Sequence, residues 1–400
     1  MTNSKKELEE FRAEVSAWLI HNKPTEPGFL LPQSFMEVGT DQQLDFLREW
    51  QYKIWSAGYL GLAWPKEYGG GGVDPIFQSI ADKEMRRLGV PICFNIIGLG
   101  WAGPLIKDIG TEAEKKKYLK GILTAEDIWC QGFSEPDYGS DLGNVQTRAV
   151  RDGDEYIVNG TKIWTTMGNY AKYMILLART NQTTERKYDG LSFFLAPMNV
   201  SGVEAKPIRK ITGEYGFTET FFTDARIPAD SIMGEEGQGW KIAMQTLQYE
   251  RGAEAGHAGG LAFVSVQMDD LLGQLKSVYR NGKPLLHDPI VRDQLVSLIM
   301  EEKAISLGDK RTNIGPLTSD YPLSLPLSHK LRYTEYARRM RKLAVNLQGA
   351  AGGLYVGDDS ALEGGFWQKA YFQSFSATIG GGTSQVQANI VAEHVLGLPK

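Results

Sequence analysis

A change of sequence period near residue 128 constrains the fold more than any other feature of this chain. Before it, apolar residues such as Leu8, Phe11 and Val15 recur at intervals of three and four, which is typical of amphipathic helices. After it come short runs rich in β-branched and aromatic residues, separated by polar turns. From Gly239 the helical pattern returns and continues to the end. The sequence therefore predicts three domains, at residues 1–127, 128–238 and 239–400.

The central region contains strand-like runs with little helical pattern between them. These runs lie at 155–158, 162–164, 173–178, 191–196 and 218–222. Asn159-Gly160 predicts a tight hairpin, because this pair tolerates the positive φ that such turns need. Strands and helices do not alternate, which argues against a doubly wound parallel sheet. We expect an α+β protein with an N-terminal all-α domain, a central β-barrel or sandwich, and a C-terminal helical bundle.

Composition excludes several classes of function. The net charge of −5 gives no sign of nucleic-acid binding, and Cys93 and Cys130 form no CxxC pair. The five histidines show no metal-ligand spacing, so we expect no metal site. The start lacks the apolar segment of a signal peptide, and no apolar run reaches the ~18 residues that span a bilayer. The sequence predicts a cytoplasmic enzyme or binding protein without a membrane span.

Two glycine-rich segments in the first domain need separate interpretations. Gly69–Gly72 follows no strand and lacks the GxGxxG spacing, so a permissive turn is favoured over a phosphate loop. The small residues at 98–104 could let helices approach closely or could leave room for a ligand. The sequence leaves both of these open.

Residues 129–168 carry the main functional signal. The polar turn at 134–141 exposes hydroxyls and backbone N–H groups, which suit phosphates or carbonyl oxygens. The strand ending in Trp164-Thr165-Thr166 offers a flat aromatic face beside a hydroxyl, which suits a planar heterocycle. Trp164 could instead be an ordinary buried strand aromatic. The two signals together predict a flavin site.

Three motifs in this order resemble those of the acyl-CoA dehydrogenase family. They are Ser-Glu-Pro…Gly-Ser-Asp at 134–141, Asn-Gly…Trp-Thr-Thr at 159–166, and Gly-Gly-Thr-Ser-Gln-Val-Gln at 381–387. The resemblance covers nearly the whole chain. It implies a C-terminal four-helix bundle, FAD as cofactor, an acyl-CoA substrate, and an electron-transfer flavoprotein as electron acceptor. It also implies a homotetramer or dimer, with a hetero-oligomer as the alternative.

The resemblance also implies which residues bind the cofactor. The positions it assigns to FAD are Gln131, Phe133, Ser134, Gly139, Ser140, Trp164, Thr166, Arg280, Gln348, Gly352, Thr383 and Gln385. Trp164 and Thr166 would lie against the isoalloxazine. Ser140 would contact the FAD pyrophosphate or the CoA portion of the substrate, or it could cap a turn. Thr383 opens a helix, where exposed N–H groups and the helix dipole favour an anion or a polar cofactor atom. Arg280 is a weaker match, because Asn-Gly-Lys-Pro follows it in place of the aromatic-glycine pattern of the family.

The catalytic base is where this sequence departs from many family members. Their glutamate directly precedes the Gly-Thr of the last helix, and here that position is Gly381. Other branches place the base as a Glu followed by Arg on an earlier helix, which matches Glu250 and Arg251. Arg251 would lie beneath the substrate and help to keep Glu250 ionised. An exposed Glu–Arg pair is the alternative interpretation, and Glu254 is the alternative base.

The resemblance implies α,β-dehydrogenation of an acyl-CoA thioester to the 2-enoyl-CoA. Glu250 would remove the α-proton while a hydride passes from Cβ to flavin N5. The missing side chain at Gly381 hints at a branched, cyclic or otherwise bulky acyl group, as in bacterial branches that act on steroid side chains, dicarboxylates or aromatic-derived thioesters. Two alternatives stay open: a flavin monooxygenase or oxidase on the same fold, and an FAD-binding subunit of a heteromeric dehydrogenase.

Overall fold

The computed structural model describes residues 4–255, 266–276, 278–280, 282–312, 314, 317 and 324–399, with the side chains of 251–255 and 324–327 left out. The chain divides into two compact units, Met1–Ser265 and Val266–Lys400. In the described part of the chain, no helix is long and apolar enough to cross a membrane.

The first unit begins with helices whose starts are fixed by polar caps. They are α1 (Lys5–Asn22), α2 (Asp41–Ser56), α3 (Pro75–Arg87), α4 (Gly103–Ile109) and α5 (Glu112–Thr124). The Ser4 and Thr40 hydroxyls accept hydrogen bonds from backbone N–H groups of the first turns of α1 and α2. At α5, Thr111 and Glu114 form a reciprocal capping box. The predicted N-terminal helical region is therefore present. The positions of the loops between its helices did not follow from the apolar spacing.

In the two glycine-rich segments of this region, the glycines permit a turn in one and close packing in the other. The N–H groups of Gly69 and Gly72 donate to the carbonyls of Lys66 and Trp64, and both glycines have positive φ, as a permissive turn requires. Residues Ile97–Ala102 form a short π-helix directly before α4. A Cβ atom at Gly103 would lie 2.2 Å from the Trp64 ring, so this small residue permits close packing.

The central β domain is one extended sheet. Its strands are β1 (Trp129–Gly132), β2 (Arg148–Asp152), β3 (Glu155–Thr166), β4 (Tyr173–Arg179), β5 (Leu191–Pro197), β6 (Val203–Ile208), β7 (Phe217–Pro228) and β8 (Ile232–Met233). The order across the sheet is β6-β7-β3-β2-β4-β5-β8, and β1 pairs in parallel with β4. Most of the residues of β4 and β5 are completely buried, so these strands form the centre of the domain.

The predicted hairpin at Asn159-Gly160 is wrong, because β3 runs straight through this pair. The turn lies earlier, at Gly153, and joins β2 to β3. Asn159 exchanges two hydrogen bonds with Asp224 on β7, at a bulge in the β3–β7 pairing. Gly160 is needed for close approach, since a Cβ there would lie 2.6 Å from the Thr147 hydroxyl oxygen. A short-range turn signal was thus outweighed by pairing with a strand about 65 residues away.

Helix α6 (Gly239–Ala255) completes the described part of the first unit. It packs against β5 and against the π-helix, and a Cβ atom at Gly239 would clash with the Ser192 backbone at 2.5 Å. Ile242 and Ala243 join the large apolar core that the helices share with β4 and β5. Helix α6 is therefore held firmly at its beginning.

The second unit is helical with one short β-hairpin. Its helices are α7 (Met268–Leu275), α8 (Pro289–Thr312), α9 (Ser324–Leu347), α10 (Phe366–Ile379) and α11 (Ser384–His394), and the hairpin pairs β9 (Tyr279–Arg280) with β10 (Lys283–Pro284). A separate apolar core fills this unit, with Trp367 and Leu271 completely buried. Helices flanking a central β domain confirm the predicted α+β class.

Candidate active site

The turn at 134–141 closes on itself and leaves its tip exposed. Glu135 and Tyr138 exchange two backbone hydrogen bonds of 3.1 Å, which form the neck of the turn. Gly139 and Ser140 at the tip are exposed, and Ser134 at the base is half-buried. The backbone of Ser134 is tied to β3, because its carbonyl accepts a 2.9 Å hydrogen bond from the Ile163 N–H. The two motifs predicted to share one site are therefore direct neighbours.

Beneath this turn lies a buried ion pair. The ammonium of Lys162 on β3 donates to Glu135 Oε1 at 2.8 Å and to the Phe133 carbonyl at 3.0 Å. Burial lowers the pKa of Lys162 to about 8, although the Glu135 carboxylate opposes that shift. Burial alone would raise the pKa of Glu135, but the adjacent Lys162 and hydrogen bonds from the backbone hold it below its usual value.

Trp164 is presented outward from β3 by a strained backbone. Its φ is +61°, a left-handed conformation that costs energy for a residue with a large side chain. The bulge between Lys162 and Thr165 in the β3–β7 pairing accommodates this conformation. The side chain is 55% exposed, and its ring meets Phe217 edge-on at 6.0 Å. Trp164 is therefore not the buried strand aromatic of the alternative interpretation.

The remaining residues of this cluster are Gln131, Phe133 and Thr166, which are buried or half-buried. Gln131 lies on β1 opposite Ile175 of β4, and its Nε2 is buried without a hydrogen-bond partner in the part of the chain that is described. Phe133 is buried and contacts Phe193 edge-on. Thr166 is 6% exposed at the end of β3. A buried donor without a partner in a folded protein calls for a ligand or a water molecule.

Glu250 lies near the end of the described part of the first unit, on α6. Its side chain is only 6% exposed, which argues against the exposed Glu–Arg pair. The preceding Tyr249 donates a short hydrogen bond to Asp108 of α4 and accepts one of 3.1 Å from Gln245. These contacts fix the turn of α6 that carries Glu250. Arg251 and Glu254 belong to the same helix, but their side chains lie outside the description.

In the second unit, Gln348 and Gly352 lie in a tightly bonded segment after α9. Gln348 is 7% exposed, and its Oε1 accepts a 2.7 Å hydrogen bond from Gln368 Nε2 on α10. Gln368 also donates to the Ala351 carbonyl at 3.2 Å. This leaves Gln348 Nε2 buried and without a partner among the residues described. Gly352 permits a close turn, because a Cβ atom there would lie 2.6 Å from the Val345 carbonyl oxygen.

The closing motif forms a loop of left-handed glycines before α11. Gly381 has a φ of +63° and Gly382 a φ of +100°. The Gly382 carbonyl accepts a 2.7 Å hydrogen bond from Lys330 of α9. Thr383 caps α11 by accepting a 3.2 Å hydrogen bond from the Val386 N–H, and Gln385 is exposed in the first turn. A glutamate at position 381 would require a strained backbone in this loop.

Arg280 is exposed on the β9–β10 hairpin, where its guanidinium lies 3.9 Å from Asp288. An ion pair of this length at the surface contributes little and does not fix the side chain. Its predicted contact with the FAD pyrophosphate remains a prediction.

Sequence reasoning missed three residues that hold the site segments: Lys162, Gln368 and Lys330. Lys162 was visible as a lone charge within an otherwise strand-like run, a pattern that indicates either an edge position or a buried ion pair. Gln368 donates to the Gln348 side chain and the Ala351 carbonyl, and Lys330 donates to the Gly382 carbonyl. The sequence gives no signal for these contacts between distant residues.

Sequence comparisons relate the chain to one family. Residues 34–126, 130–225 and 237–396 match the N-terminal, middle and C-terminal domains of acyl-CoA dehydrogenases, respectively. The acyl-CoA dehydrogenase IpdE1 of Mycobacterium tuberculosis is 34% identical over 395 residues, which cover 98% of each chain.

Solved structures show the same relationship. A protein described as the Tcur3481-Tcur3483 steroid ACAD matches with a TM-score of 0.80 and 30% identity, over 100% of both chains. The ChsE4-ChsE5 complex from Mycobacterium tuberculosis matches with a TM-score of 0.76 and 26% identity, over 100% of this chain and 99% of that chain. These matches extend over all three domains. The protein is therefore an oxidoreductase of the acyl-CoA dehydrogenase family, as its three motifs predicted.

Proposed function

We propose that this enzyme removes hydrogen from the α and β carbons of an acyl-CoA thioester, with Glu250 as the base. The observation that carries the assignment is the burial of Glu250, at 6% exposure, on a helix turn fixed by Tyr249. Gly381 carries no carboxylate, and its left-handed backbone disfavours one. Glu250 is thus the carboxylate that fits the family reaction.

The residues present fit FAD as the cofactor. Trp164 offers a half-exposed indole face, which suits stacking against a flat ring system. Gln131 Nε2 and Gln348 Nε2 are buried donors without partners in the described ranges, and each could donate to a carbonyl, ring nitrogen or phosphate oxygen. Thr383 and the first N–H groups of α11 suit an anionic group. Arg280 and Gln385 are both exposed, and we also assign them to FAD binding.

Some residues of the chain would then bind the substrate, and Glu250 would transfer the proton. Bound FAD would supply the acceptor for the hydride that leaves Cβ. Glu250 would take the α-proton onto a carboxylate oxygen, and Tyr249, anchored on Asp108, would keep the helix turn in place. Such a positioned base contributes roughly 10²–10⁴ in rate. Arg251 and Ser140 would contact the substrate, and an electron-transfer flavoprotein would reoxidise the flavin.

For the substrate we propose a bulky cyclic acyl-CoA, such as one derived from a steroid. A structural relative is described as a steroid ACAD, at 30% identity over the whole chain. The absence of a side chain at Gly381, where many family members carry their base, is consistent with a wide acyl site.

Glu250→Gln tests the proposal. The variant should bind FAD as the wild type does, yet the anaerobic bleaching of its flavin by a cyclic acyl-CoA should slow by roughly 10²-fold or more. A panel of short, long, branched and aromatic acyl-CoAs defines the preferred substrate. Glu49→Gln, on the exposed face of α2, is the matched control.

Bleaching of Glu250→Gln at the wild-type rate would contradict this base assignment. If acyl-CoAs fail to bleach even the wild type, while the reduced flavin reacts rapidly with oxygen, the enzyme is a monooxygenase or oxidase instead.

A heteromeric enzyme is the second candidate, favoured by one of the structural matches. That relative is described as the ChsE4-ChsE5 complex. In such an assembly this chain would hold FAD together with a different chain. Native mass spectrometry of the protein purified alone distinguishes the candidates: a homotetramer or dimer with one FAD per chain supports the first, and a colourless monomer supports the second.

A further inference from the structure

We propose that Lys162 is the positioning residue of the cofactor site, holding Ser134 in register with Trp164 through the Phe133 carbonyl and the Glu135 carboxylate. This inference rests on the proposed FAD site at residues 129–168. Lys162 has no assigned role in binding, and the sequence analysis did not identify it.

The Lys162 ammonium bonds to the residues on both sides of Ser134. Lys162 Nζ lies 3.0 Å from the carbonyl oxygen of the preceding residue and 2.8 Å from the carboxylate of the following residue. The neighbouring Ile163 N–H donates to the Ser134 carbonyl at 2.9 Å. Two consecutive residues of β3 therefore hold three consecutive residues of the turn, Phe133, Ser134 and Glu135. Trp164 follows directly on the same strand.

The carboxylate partner is itself anchored. Glu135 Oε2 accepts from the Gln146 N–H at 2.6 Å, and Oε1 accepts from the Thr147 N–H at 2.8 Å. Both donors lie just before β2, which pairs with β3. Glu135 therefore cannot move to follow a displaced lysine. The ion pair joins three segments of chain: the β1 end, the approach to β2, and the strand that carries Trp164.

Stability alone is a poor explanation for this pair. Lys162 is 0% exposed and Glu135 is 6% exposed, so both charges are removed from water at a large cost. Replacing such a pair with well-packed apolar residues is often neutral or stabilising. The pair also offers directional hydrogen bonds, which apolar side chains lack. The ion pair fixes the position of the turn, which apolar packing would not do.

The hydrogen bonds of Lys162 indicate an indirect role, because its ammonium donates to protein acceptors. The Lys162 side chain has no exposed surface, and it lies against protein acceptors on the inner side of the turn. Lys162 would therefore act on FAD only through Ser134 and Trp164.

The test separates positioning from stability by comparing a single and a double variant. Lys162→Met leaves Glu135 buried without its counter-charge and should lower both the denaturant midpoint and FAD affinity. Lys162→Met/Glu135→Gln removes both charges and keeps an amide oxygen that can accept from the Gln146 or Thr147 N–H, so its denaturant midpoint should recover most of what Lys162→Met loses. FAD affinity of the double variant, measured by flavin fluorescence titration, should remain at least tenfold weaker. The circular dichroism of its bound flavin should also differ from that of the wild type.

The matched control removes an exposed ion pair that also involves β3. Arg226 of β7 lies 2.9 Å from Glu155 of β3, with both side chains about half exposed. Arg226→Met should leave FAD affinity and the flavin spectrum unchanged.

Three outcomes decide the matter. If the double variant regains stability and wild-type FAD affinity together, Lys162 is merely structural and the inference is wrong, while the FAD site stands. If stability returns and affinity does not, the positioning role is supported. If the wild type itself takes up no FAD, the proposed function and this inference fail together.

Discussion

Asp82 on α3 shows how one buried carboxyl can make the stability of the first unit depend on pH. It is 1% exposed, and its Oδ1 accepts a 2.7 Å hydrogen bond from Gln78. Its Oδ2 has no hydrogen-bond partner within the described ranges. Burial raises the pKa of Asp82 to about 7, although Gln78 and Arg86 oppose the shift. The folded protein therefore favours the neutral acid.

The sign of the effect follows from linkage. The unfolded chain ionises Asp82 near its ordinary pKa of 3.8, while the folded chain ionises it near 7. Between these values the folded state binds more protons, so stability falls as pH rises from about 4 to about 7. At 1.36 kcal/mol per pKa unit the loss is at most about 4 kcal/mol.

Asp82→Asn should remove this loss. The free energy of unfolding of the variant, measured in urea at pH 5 and pH 8, should fall less over this range than that of the wild type. Asp154→Asn, at an exposed position, serves as the control. Equal pH dependence in Asp82→Asn and the wild type would show that Asp82 ionises normally in the folded protein.

At the residue scale, the sequence predicts which side chains meet a cofactor, which remains a prediction, but it does not show how those side chains are held. Trp164 was visible as an aromatic beside a hydroxyl. Its left-handed φ depends on the bulge against β7, more than 50 residues away, and no local pattern reveals it. The partner of Lys162 was equally hidden, because a charge within a strand does not identify its counter-charge.

At the scale of elements, α10 determines which atom of Gln348 is available to a ligand. The Ala351 carbonyl can only accept, so the group of Gln368 that faces it must be the amide NH₂. The same NH₂ group donates to Gln348 Oε1, which turns Gln348 Nε2 away from α10. Gln348 therefore presents a donor, and the matching ligand atom must be an acceptor.

Gln368→Glu should reverse the orientation of the Gln348 side-chain amide. A glutamate accepts where Gln368 donates, so Gln348 would turn its own NH₂ group towards position 368. We expect FAD affinity to fall about tenfold, the upper range for one hydrogen bond. Gln373→Glu makes the same change on the same helix, where the side chain donates to the Ser376 hydroxyl, and should leave affinity unchanged. Unaltered affinity in Gln368→Glu would show that Gln348 Nε2 does not meet FAD.

The helices and strands themselves were largely predictable, because their apolar periods and caps are local. The exceptions come from distant partners. Asn159-Gly160 carries the strongest short hairpin signal in the chain, yet it lies inside β3. There the Asn159 side chain bonds to Asp224, and Gly160 allows Thr147 to approach closely. Conversely, the short β9–β10 hairpin interrupts the helical pattern that the sequence predicted from Gly239 onwards.

At the scale of the whole molecule, two compact units carry separate apolar cores. The core around Leu119 belongs to the first unit, and the core around Leu271 belongs to the second. The predicted three-domain division at 127 and 238 follows the sequence period and remains a prediction. The structure instead groups the N-terminal helices, the sheet and α6 into one unit, because the helical core continues into β4 and β5.

Separate cores should give separate unfolding transitions. Leu119→Ala and Leu271→Ala delete the same atoms from two completely buried positions, at a cost of about 2–5 kcal/mol each. In urea, Leu119→Ala should shift the transition that abolishes the sheet signal in circular dichroism. Leu271→Ala should shift a different, helical transition. If both variants instead displace one common transition equally, the two units unfold as a single cooperative body, and their cores stabilise each other despite sharing no described residue.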